Sequence, residues 1–186
     1  MIALKPTKGY LLVAEPSIIG DVSFNRSVVL LADHSDNGSV GFILNKILDF
    51  KLKDLIPDIK GNFKVYNGGP VEQDNLYFIH KIPDLIPESI EIANGIYWGG
   101  NFEAVIELIS KKLITDTQIK FFLGYSGWDS NQLEEELNSG SWVVTVNEDQ
   151  TNLLEKHYSS FWKEKMVALG GEYMLWSNSP ENPSYN

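Results

Sequence analysis

The sequence contains no cysteine and only one arginine, Arg26, among its 186 residues. Without cysteine, the chain has no disulfide, no thiolate nucleophile and no cysteine ligand for zinc or an iron–sulfur cluster. Bidentate recognition of phosphate and guanine relies on the arginine guanidinium, so a single arginine makes a poor nucleic-acid-binding surface. These absences remove redox chemistry at cysteine and weaken any assignment to DNA or RNA binding.

Long apolar runs are also absent. The longest, Tyr10–Ala14 and Val28–Ala32, have the length of β-strands and fall far below the roughly 20 residues that cross a bilayer. The N-terminal residues show no basic segment followed by an apolar one, so we see no signal peptide. The sequence therefore predicts a cytoplasmic protein with no membrane partner.

Acidic residues outnumber basic ones, with 25 Asp and Glu against 15 Lys and Arg and a net charge of −10. This balance repels phosphate backbones, so direct nucleic-acid binding is disfavoured. A content of 43% hydrophobic and 22% charged residues is ordinary for a folded domain. We predict one domain over residues 1–176 and a polar, proline-containing tail over 177–186.

Strand-like segments dominate the first half of the chain, and helical patterns cluster later. Ser27–Asp33 and Ser39–Asn45 flank Asn37-Gly38, a dipeptide typical of a tight hairpin turn. Hairpins followed by helices favour an α+β fold over a doubly wound parallel sheet. Other predicted strands are Tyr10–Ala14, Phe63–Asn67, Asn75–His80, Ile96–Trp98, Gln118–Leu123 and Trp142–Val146. Helices are predicted at Lys51–Ile56, after an Asn101 cap, after an Asp129 cap, and over Tyr158–Leu169.

Gly124–Trp128 (GYSGW) lies between a predicted strand and a predicted helix, which is the context of a hydrolase nucleophile elbow around Ser126. That motif needs glycine two residues after the serine, and this position is Trp128. We therefore interpret the segment as a tight structural turn that packs Tyr125 and Trp128.

The three histidines, His34, His80 and His157, are far apart and show no paired ligand spacing. Asp33–Gly38 resembles the start of a calcium loop, but the twelfth position is Leu44 instead of glutamate. We therefore predict no metal site and no cofactor.

Three glycine-rich segments each follow a predicted strand: Gly68-Gly69-Pro70, Gly99-Gly100 and Gly124–Trp128. If the strand ends converge, these segments form one aromatic surface that binds a ligand or a partner. The alternative is that the aromatic side chains fill a core between strongly bent strands. The aromatic residues concerned are Tyr66, Tyr97, Trp98, Tyr125 and Trp128.

Six stretches, taken in order and at similar spacing, resemble the AlgH/YqgE family of bacterial proteins over nearly the whole chain. They are Gly9–Pro16, Phe24–Leu31, His34 with Gly38–Asn45, Val65–Val71, Gly95–Gly100, and Gly124–Trp128 with Gln132-Leu133-Glu134. The chain departs from the family pattern at Ile47, where proline usually follows the asparagine-basic pair, and at Asp129-Ser130-Asn131.

The resemblance implies a strongly curved, bifurcated mixed β-sheet that partly closes into a small barrel surrounded by helices. It also implies a role in regulating transcription of exopolysaccharide genes, with no catalytic residue assigned. The family motif falls on His34, Asn45, Gly68, Gly69, Pro70, Gly124, Tyr125, Gly127, Trp128 and Gln132.

Our leading hypothesis is a cytoplasmic binding or regulatory domain that acts through contacts with a protein partner or a small ligand, and that affects transcription indirectly. One alternative is an enzyme that uses His34 with Asp33 or Asp36 near Arg26. A second alternative, direct DNA binding, is opposed by the net charge. The candidate binding residues are His34, Asn45, Gly68, Gly69, Pro70, Tyr125, Trp128 and Gln132, and we predict no catalytic residue.

Overall fold

A ten-stranded, mostly antiparallel β-sheet is the framework of the protein, as seen in a computed structural model that describes residues 4–16 and 22–179. The strands follow the order β10-β1-β2-β3-β9-β6-β8-β7, and β4 pairs with β5 beside this path. Strand bounds are β1 Leu11–Ala14, β2 Val28–Ser35, β3 Gly38–Ile43, β4 Ile47–Lys51, β5 Lys64–Asn67, β6 Val71–His80, β7 Ile90–Ala93, β8 Ile96–Trp98, β9 Ile119–Asp129 and β10 Trp142–Thr145.

Five α-helices and one 3₁₀ helix accompany the sheet in the described part of the chain. The helices are α1 Leu52–Leu55, α2 Phe102–Ser110, α3 Gln132–Asn138, α4 Phe161–Leu169 and α5 Glu172–Trp176, and the 3₁₀ helix spans Gln150–Glu155. The predicted Asn101 cap of α2 is confirmed, because its side-chain oxygen accepts a hydrogen bond from the Ala104 N–H at 2.9 Å.

The sheet divides into two branches along strand β9, and we call this division the fork. The first half of β9 pairs with antiparallel β6, and Phe121–Leu123 also pair with parallel β5. Its last residues pair instead with β3, on the side opposite β6 in the strand order. A hydrogen bond from the Ile43 N–H to the Gly68 carbonyl, 2.9 Å long, joins the ends of β3 and β5. The sheet is therefore bifurcated, as expected.

Three apolar clusters lie on the faces of this sheet. One packs β1, β2 and β3 against α4 around Phe42 and Trp162. A second packs β5, β6 and β9 against α2 around Phe121 and Val105. The third lies on the opposite face of β1–β3 and contacts Leu133 of α3. Alternate residues of β1 and β2 belong to different clusters, since successive strand side chains point to opposite faces.

The α+β fold and the hairpin of β2 and β3 are confirmed. The sheet curls until Gly9 packs against Ala93 at the end of β7, but no strand pair closes it within the described residues. The turn predicted at Gly124–Trp128 is wrong, because these residues continue β9. Residues 180–186 of the predicted tail lie outside the described residues, so the domain boundary stays a prediction.

Candidate functional site

Two of the three glycine segments meet at the fork. A Cβ atom added to Gly68 would overlap the Gly124 carbonyl oxygen, and one added to Gly69 would overlap the backbone of Tyr125. Gly124 is equally restricted, since its Cβ would lie 2.6 Å from the Gly69 carbonyl oxygen. Pro70 follows as an exposed residue. These glycines allow two backbones to approach closely, which is a structural role.

The third glycine segment lies elsewhere. The Gly99 carbonyl accepts a hydrogen bond from the buried His80 ring at 3.1 Å. Gly100 packs against Ile86 and Pro87. The predicted convergence therefore holds for Gly68–Pro70 and Gly124–Trp128, whereas these contacts hold Gly99-Gly100 beside β6, directly after the end of β8.

Most of the singled-out aromatic residues pack in one cluster centred on Phe42. The Phe42 ring lies 5.9 Å from both Tyr77 and Trp98, and Tyr77 makes an edge-to-face contact with Tyr125 at 5.6 Å. Tyr66 joins the same cluster and is 6% exposed. The contacts support the core-filling interpretation for these residues.

Trp128 is also a core residue, in the cluster on the opposite face, and is 5% exposed. Its indole N–H donates to Glu136 at 2.9 Å, and the Trp142 indole donates to the same carboxylate oxygen at 2.7 Å. Gln132 donates to the other Glu136 oxygen at 3.0 Å. Glu136 thus ties α3 to the sheet, and truncation of Trp128 would remove core packing rather than a surface contact.

His34 and Arg26 make separate contacts. The His34 ring bonds to the Ser39 hydroxyl at 2.7 Å and lies 3.9 Å from Glu134. The Arg26 guanidinium donates to the Ser179 carbonyl at 2.7 Å and lies over the Trp162 ring at 4.9 Å. These contacts do not assemble the alternative enzyme site, and the prediction that the chain has no catalytic residue stays a prediction.

Asn45 and Ser126 both form hydrogen bonds with backbone groups. Asn45 accepts from the Val28 N–H at 2.9 Å and donates to the Arg26 carbonyl at 2.8 Å, so it fixes the start of β2. Ser126 is fully buried and donates to the Gly68 carbonyl at 3.0 Å. A buried hydroxyl held in this way is structural, in agreement with our rejection of the nucleophile elbow.

Eight titratable side chains line a cavity of about 220 Å³ that was not predicted from the sequence. Strand β5, the start of β9 and the segment before α4 form its walls. A second cavity of about 200 Å³, beside Trp98 and Ile90, has no charged side chain in its wall. The first cavity is lined by Phe63, Lys64, Tyr66, Asp116, Thr117, Ile119, Lys120, Leu154, Glu155, Lys156, His157 and Tyr158.

Lys120 is the unusual residue of this cavity, because it is only 5% exposed. Its ammonium group donates to the Leu44 carbonyl at 3.1 Å and lies 4.2 Å from the centre of the Tyr66 ring. Within the described residues, it forms no ion pair with a carboxylate. Burial, and then repulsion from Lys64, lower the pKa of Lys120 from its usual 10.5 to about 7.

The register of the fork explains where Lys120 points. Tyr66 pairs with Phe122 across β5 and β9. Lys120 lies two residues before Phe122, so both side chains are on the face that also carries Tyr66. The sequence signal that would have identified it is a lysine between Ile119 and Phe121, within an otherwise apolar strand.

Of the two carboxylates that line the cavity, Glu155 pairs with a lysine, whereas Asp116 forms no ion pair among the described residues. Lys156 pairs with Asp149 at 2.9 Å and with Glu164 at 3.3 Å. Glu155 pairs with Lys81 at 2.7 Å. Lys64, by contrast, lies 5.9 Å from the Tyr158 ring and forms no ion pair within the described part of the chain. Among the described residues, the wall therefore presents two lysine nitrogens without an ion pair, one exposed and one buried, together with the carboxylate of Asp116.

The charge of Asp116 affects the pKa of Tyr66, which lines the same cavity. Burial, and then the charge of Asp116 and the neighbouring Tyr158, raise the pKa of Tyr66 to about 12. Tyr66 therefore stays neutral at physiological pH and offers Lys120 an uncharged aromatic face. His157 stacks on Tyr158 at 4.6 Å and bonds to the Ser159 hydroxyl at 2.8 Å.

The fold and the site together define an α+β protein with a forked sheet and a lysine-lined cavity. The AlgH-like family model matches residues 11–174. A UPF0301 protein of Bacteroides thetaiotaomicron is 39% identical over 183 residues, which are 97% of this chain and 92% of the relative. One of Chlorobium limicola is 38% identical over 179 residues, covering 96% and 95% of the two chains. The chain therefore belongs to the AlgH-like family.

Two solved structures share the fold. Protein DIP2367 of Corynebacterium diphtheriae superposes with a TM-score of 0.74 at 23% identity, covering 96% of this chain and 95% of that one. The AlgH protein of Pseudomonas aeruginosa gives a TM-score of 0.71 at 24% identity, covering 97% and 98%. No helix in the described ranges, 4–16 and 22–179, combines the length and the apolar character needed to cross a bilayer.

Proposed function

We propose that the protein is a cytoplasmic, ligand-binding regulatory domain and that the Lys120 cavity is its ligand site. The observation that carries the proposal is a buried lysine, Lys120, that forms no ion pair with any described carboxylate and lies near a second such lysine, Lys64, in the wall of an open cavity. Buried charges in proteins are usually paired, so an unpaired one in a cavity points to a partner that comes from solution.

The expected ligand is a small anion. An anion between Lys64 and Lys120 would reduce the repulsion that lowers the pKa of Lys120 and would supply its missing counter-charge. The cavity volume of about 220 Å³ suits a metabolite and not a polymer. The net charge of −10 again opposes direct binding of nucleic acid.

A regulatory output fits this site better than catalysis does. The His34 alternative gains no support from the contacts of His34 and Arg26. The segment from the 3₁₀ helix to α4 forms one wall of the cavity. A bound ligand would therefore stabilise the surface of this segment, which a protein partner would recognise. Indirect control of transcription through such a partner is consistent with the family resemblance.

Binding of small anions tests the proposal. Thermal unfolding and calorimetric titration would use phosphate, acetate, citrate and glyoxylate with the purified chain. A ligand at about 100 times its dissociation constant adds about 2.7 kcal/mol of stability. We expect at least one anion to stabilise the wild type and to bind Lys64→Gln about tenfold more weakly.

Lys111→Gln is the matched control, because Lys111 is an exposed lysine of similar chemistry that pairs with Glu107 on α2, outside the cavity. It should bind the same anion with unchanged affinity. Equal affinity in the wild type and Lys64→Gln, or an equal loss in both variants, would remove the cavity as the binding site.

A further inference from the structure

We infer that Lys120 is a nucleophilic amine and that the ligand of its cavity is a small oxo acid. The carbonyl carbon of this ligand condenses with Lys120, while its carboxylate faces Lys64. The inference rests on the proposed function, because it names the chemical class that the same cavity binds.

The contacts of Lys120 leave it able to react. Its nitrogen donates a hydrogen bond to the Leu44 carbonyl, 3.1 Å away, and lies over the face of the Tyr66 ring. A neutral amine can keep the bond to Leu44 with one N–H and still present a lone pair to the cavity. An ion pair with a carboxylate would have held the nitrogen as ammonium, and none forms within the described residues.

The electrostatic surroundings favour the neutral amine. With a pKa of about 7, roughly half of the Lys120 population carries a free lone pair at neutral pH. Lysines become nucleophiles when burial or a neighbouring cation lowers their pKa, and both causes act here. The other titratable or charged groups that line the cavity are Lys64, Tyr66, Asp116, Glu155, Lys156, His157 and Tyr158.

The second lysine selects a charged carbonyl compound. Lys64 is close enough to lower the pKa of Lys120 by repulsion, so a carboxylate placed between them would be attracted by the Lys64 ammonium. An oxo acid carries its carboxylate and its carbonyl on adjacent or nearby carbons. Such a molecule can therefore satisfy both nitrogens within a cavity of about 220 Å³.

The step is balanced without an external reactant. The Lys120 lone pair forms a bond to the carbonyl carbon, and the C=O π electrons move to oxygen, which takes a proton from the nitrogen. The resulting carbinolamine loses its hydroxyl and the second amine proton as water, and a C=N bond forms. No group is oxidised or reduced, and the water leaves through the open side of the cavity.

Reductive trapping tests the inference. The wild-type chain is incubated with glyoxylate and sodium cyanoborohydride at pH 7, where the reagent delivers hydride to any imine and fixes it as a secondary amine. Intact-mass measurement and peptide mapping then locate the carboxymethyl adduct. We expect Lys120 to be labelled about tenfold faster than any exposed lysine, and labelling to rise between pH 6 and pH 8.

Three variants sharpen the result. Lys120→Arg should lose the fast adduct, Lys64→Gln should slow it about tenfold, and Lys111→Gln should leave it unchanged. Labelling spread evenly over exposed lysines would overturn the inference, as would a fast adduct that persists in Lys120→Arg. Equal rates with glyoxylate and the uncharged acetaldehyde would overturn the oxo-acid class.

The proposed function can be tested separately with anions that lack a carbonyl. If phosphate or acetate binds in a Lys64-dependent manner while Lys120 resists labelling, the inference fails and the proposed function stands. If Lys120 is labelled but no anion depends on Lys64, the proposed function fails. Acetate, which keeps a constant charge over this range, should also bind more weakly as the pH rises from 6 to 8.5, because it needs the ammonium form of Lys120. This trend is opposite to that of the labelling.

Discussion

A lysine that enters the protein interior gives up hydration, and its surroundings must replace that hydration or lower its pKa. At Lys120 the replacement is partial, since one carbonyl and one aromatic face contact the nitrogen. Desolvation therefore dominates, and the pKa falls to about 7. The charged form of Lys120 therefore destabilises the fold. Strongly shifted pKa values of this kind are common among residues with a functional role.

The pH dependence of stability tests this pKa without any ligand. The pKa of Lys120 is lower in the folded chain, about 7, than in the unfolded chain, about 10.4. Between these values the unfolded chain binds the extra proton, so the free energy of unfolding rises with pH. We expect the wild type to gain about 2 kcal/mol more than Lys120→Met between pH 7 and pH 9 in urea denaturation.

Methionine suits this comparison because it has a similar length and needs no counter-charge. Lys111→Met, in which an exposed lysine is replaced, should show the same pH dependence as the wild type. If the wild type and Lys120→Met respond alike to pH, Lys120 is charged throughout this range and cannot act as a neutral amine.

At the scale of elements, the fork of β9 explains the structural role of the glycines in the family motif. Gly68 and Gly69 pass directly over Gly124 and Tyr125 where β5 turns into β6. The crossing has no room for a Cβ atom, so any side chain must push two backbones apart. The motif that we first interpreted as a possible ligand surface is thus a requirement of the sheet.

Gly68→Ala isolates this requirement, because Gly68 does not have a positive φ. Its new methyl group would overlap the Gly124 carbonyl, and we expect a loss of about 3 kcal/mol of unfolding free energy. Gly127→Ala, on the same strand as Gly124 and also without a positive φ, meets only side chains, the nearest at 3.2 Å. It should cost less than about 1 kcal/mol in the same denaturation experiment. Similar losses in both variants would mean that the fork tolerates a Cβ atom.

Local sequence patterns predicted the elements that local chemistry specifies. The turn at Asn37-Gly38 and the Asn101 cap are short-range signals, and both are confirmed. The segment Gly124–Trp128 was misread, because two glycines beside aromatic residues look like a turn when the partner strand is unknown. The short strands β4 and β7 were missed, since their pairing depends on distant segments rather than on a pattern of their own.

At the scale of the whole molecule, the cavity could not be predicted for the same reason. Lys64, Lys120 and His157 belong to three segments separated by more than thirty residues each. Only the pairing of β5 with β9 and the docking of the segment before α4 bring them to one wall. The resemblance supplied the fold class and its bifurcated sheet, but the family motif residues all lie outside this cavity.

The net charge of the protein also matters at this scale. Screening of charge by salt should affect the stability of the fold and the affinity for an anion in opposite directions. The chain carries a net charge of −10, so its surface repels itself and added salt should stabilise the fold by screening. The cavity instead attracts an anion through Lys64, and screening weakens that attraction. We expect a rise from about 0.02 M to 0.5 M sodium chloride to raise the unfolding temperature while lowering anion affinity several-fold.

The two readouts come from thermal unfolding without ligand and from calorimetric titration with phosphate or glyoxylate. Lys64→Gln serves as the control for binding, because a cavity without this ammonium should lose much of its salt sensitivity while the fold keeps its own. Affinity that is independent of salt would mean that the ligand is held without Lys64. A fall in the unfolding temperature with salt would mean that attractive pairs, such as Lys156 with Asp149 at 2.9 Å, outweigh the repulsion among the excess acidic residues.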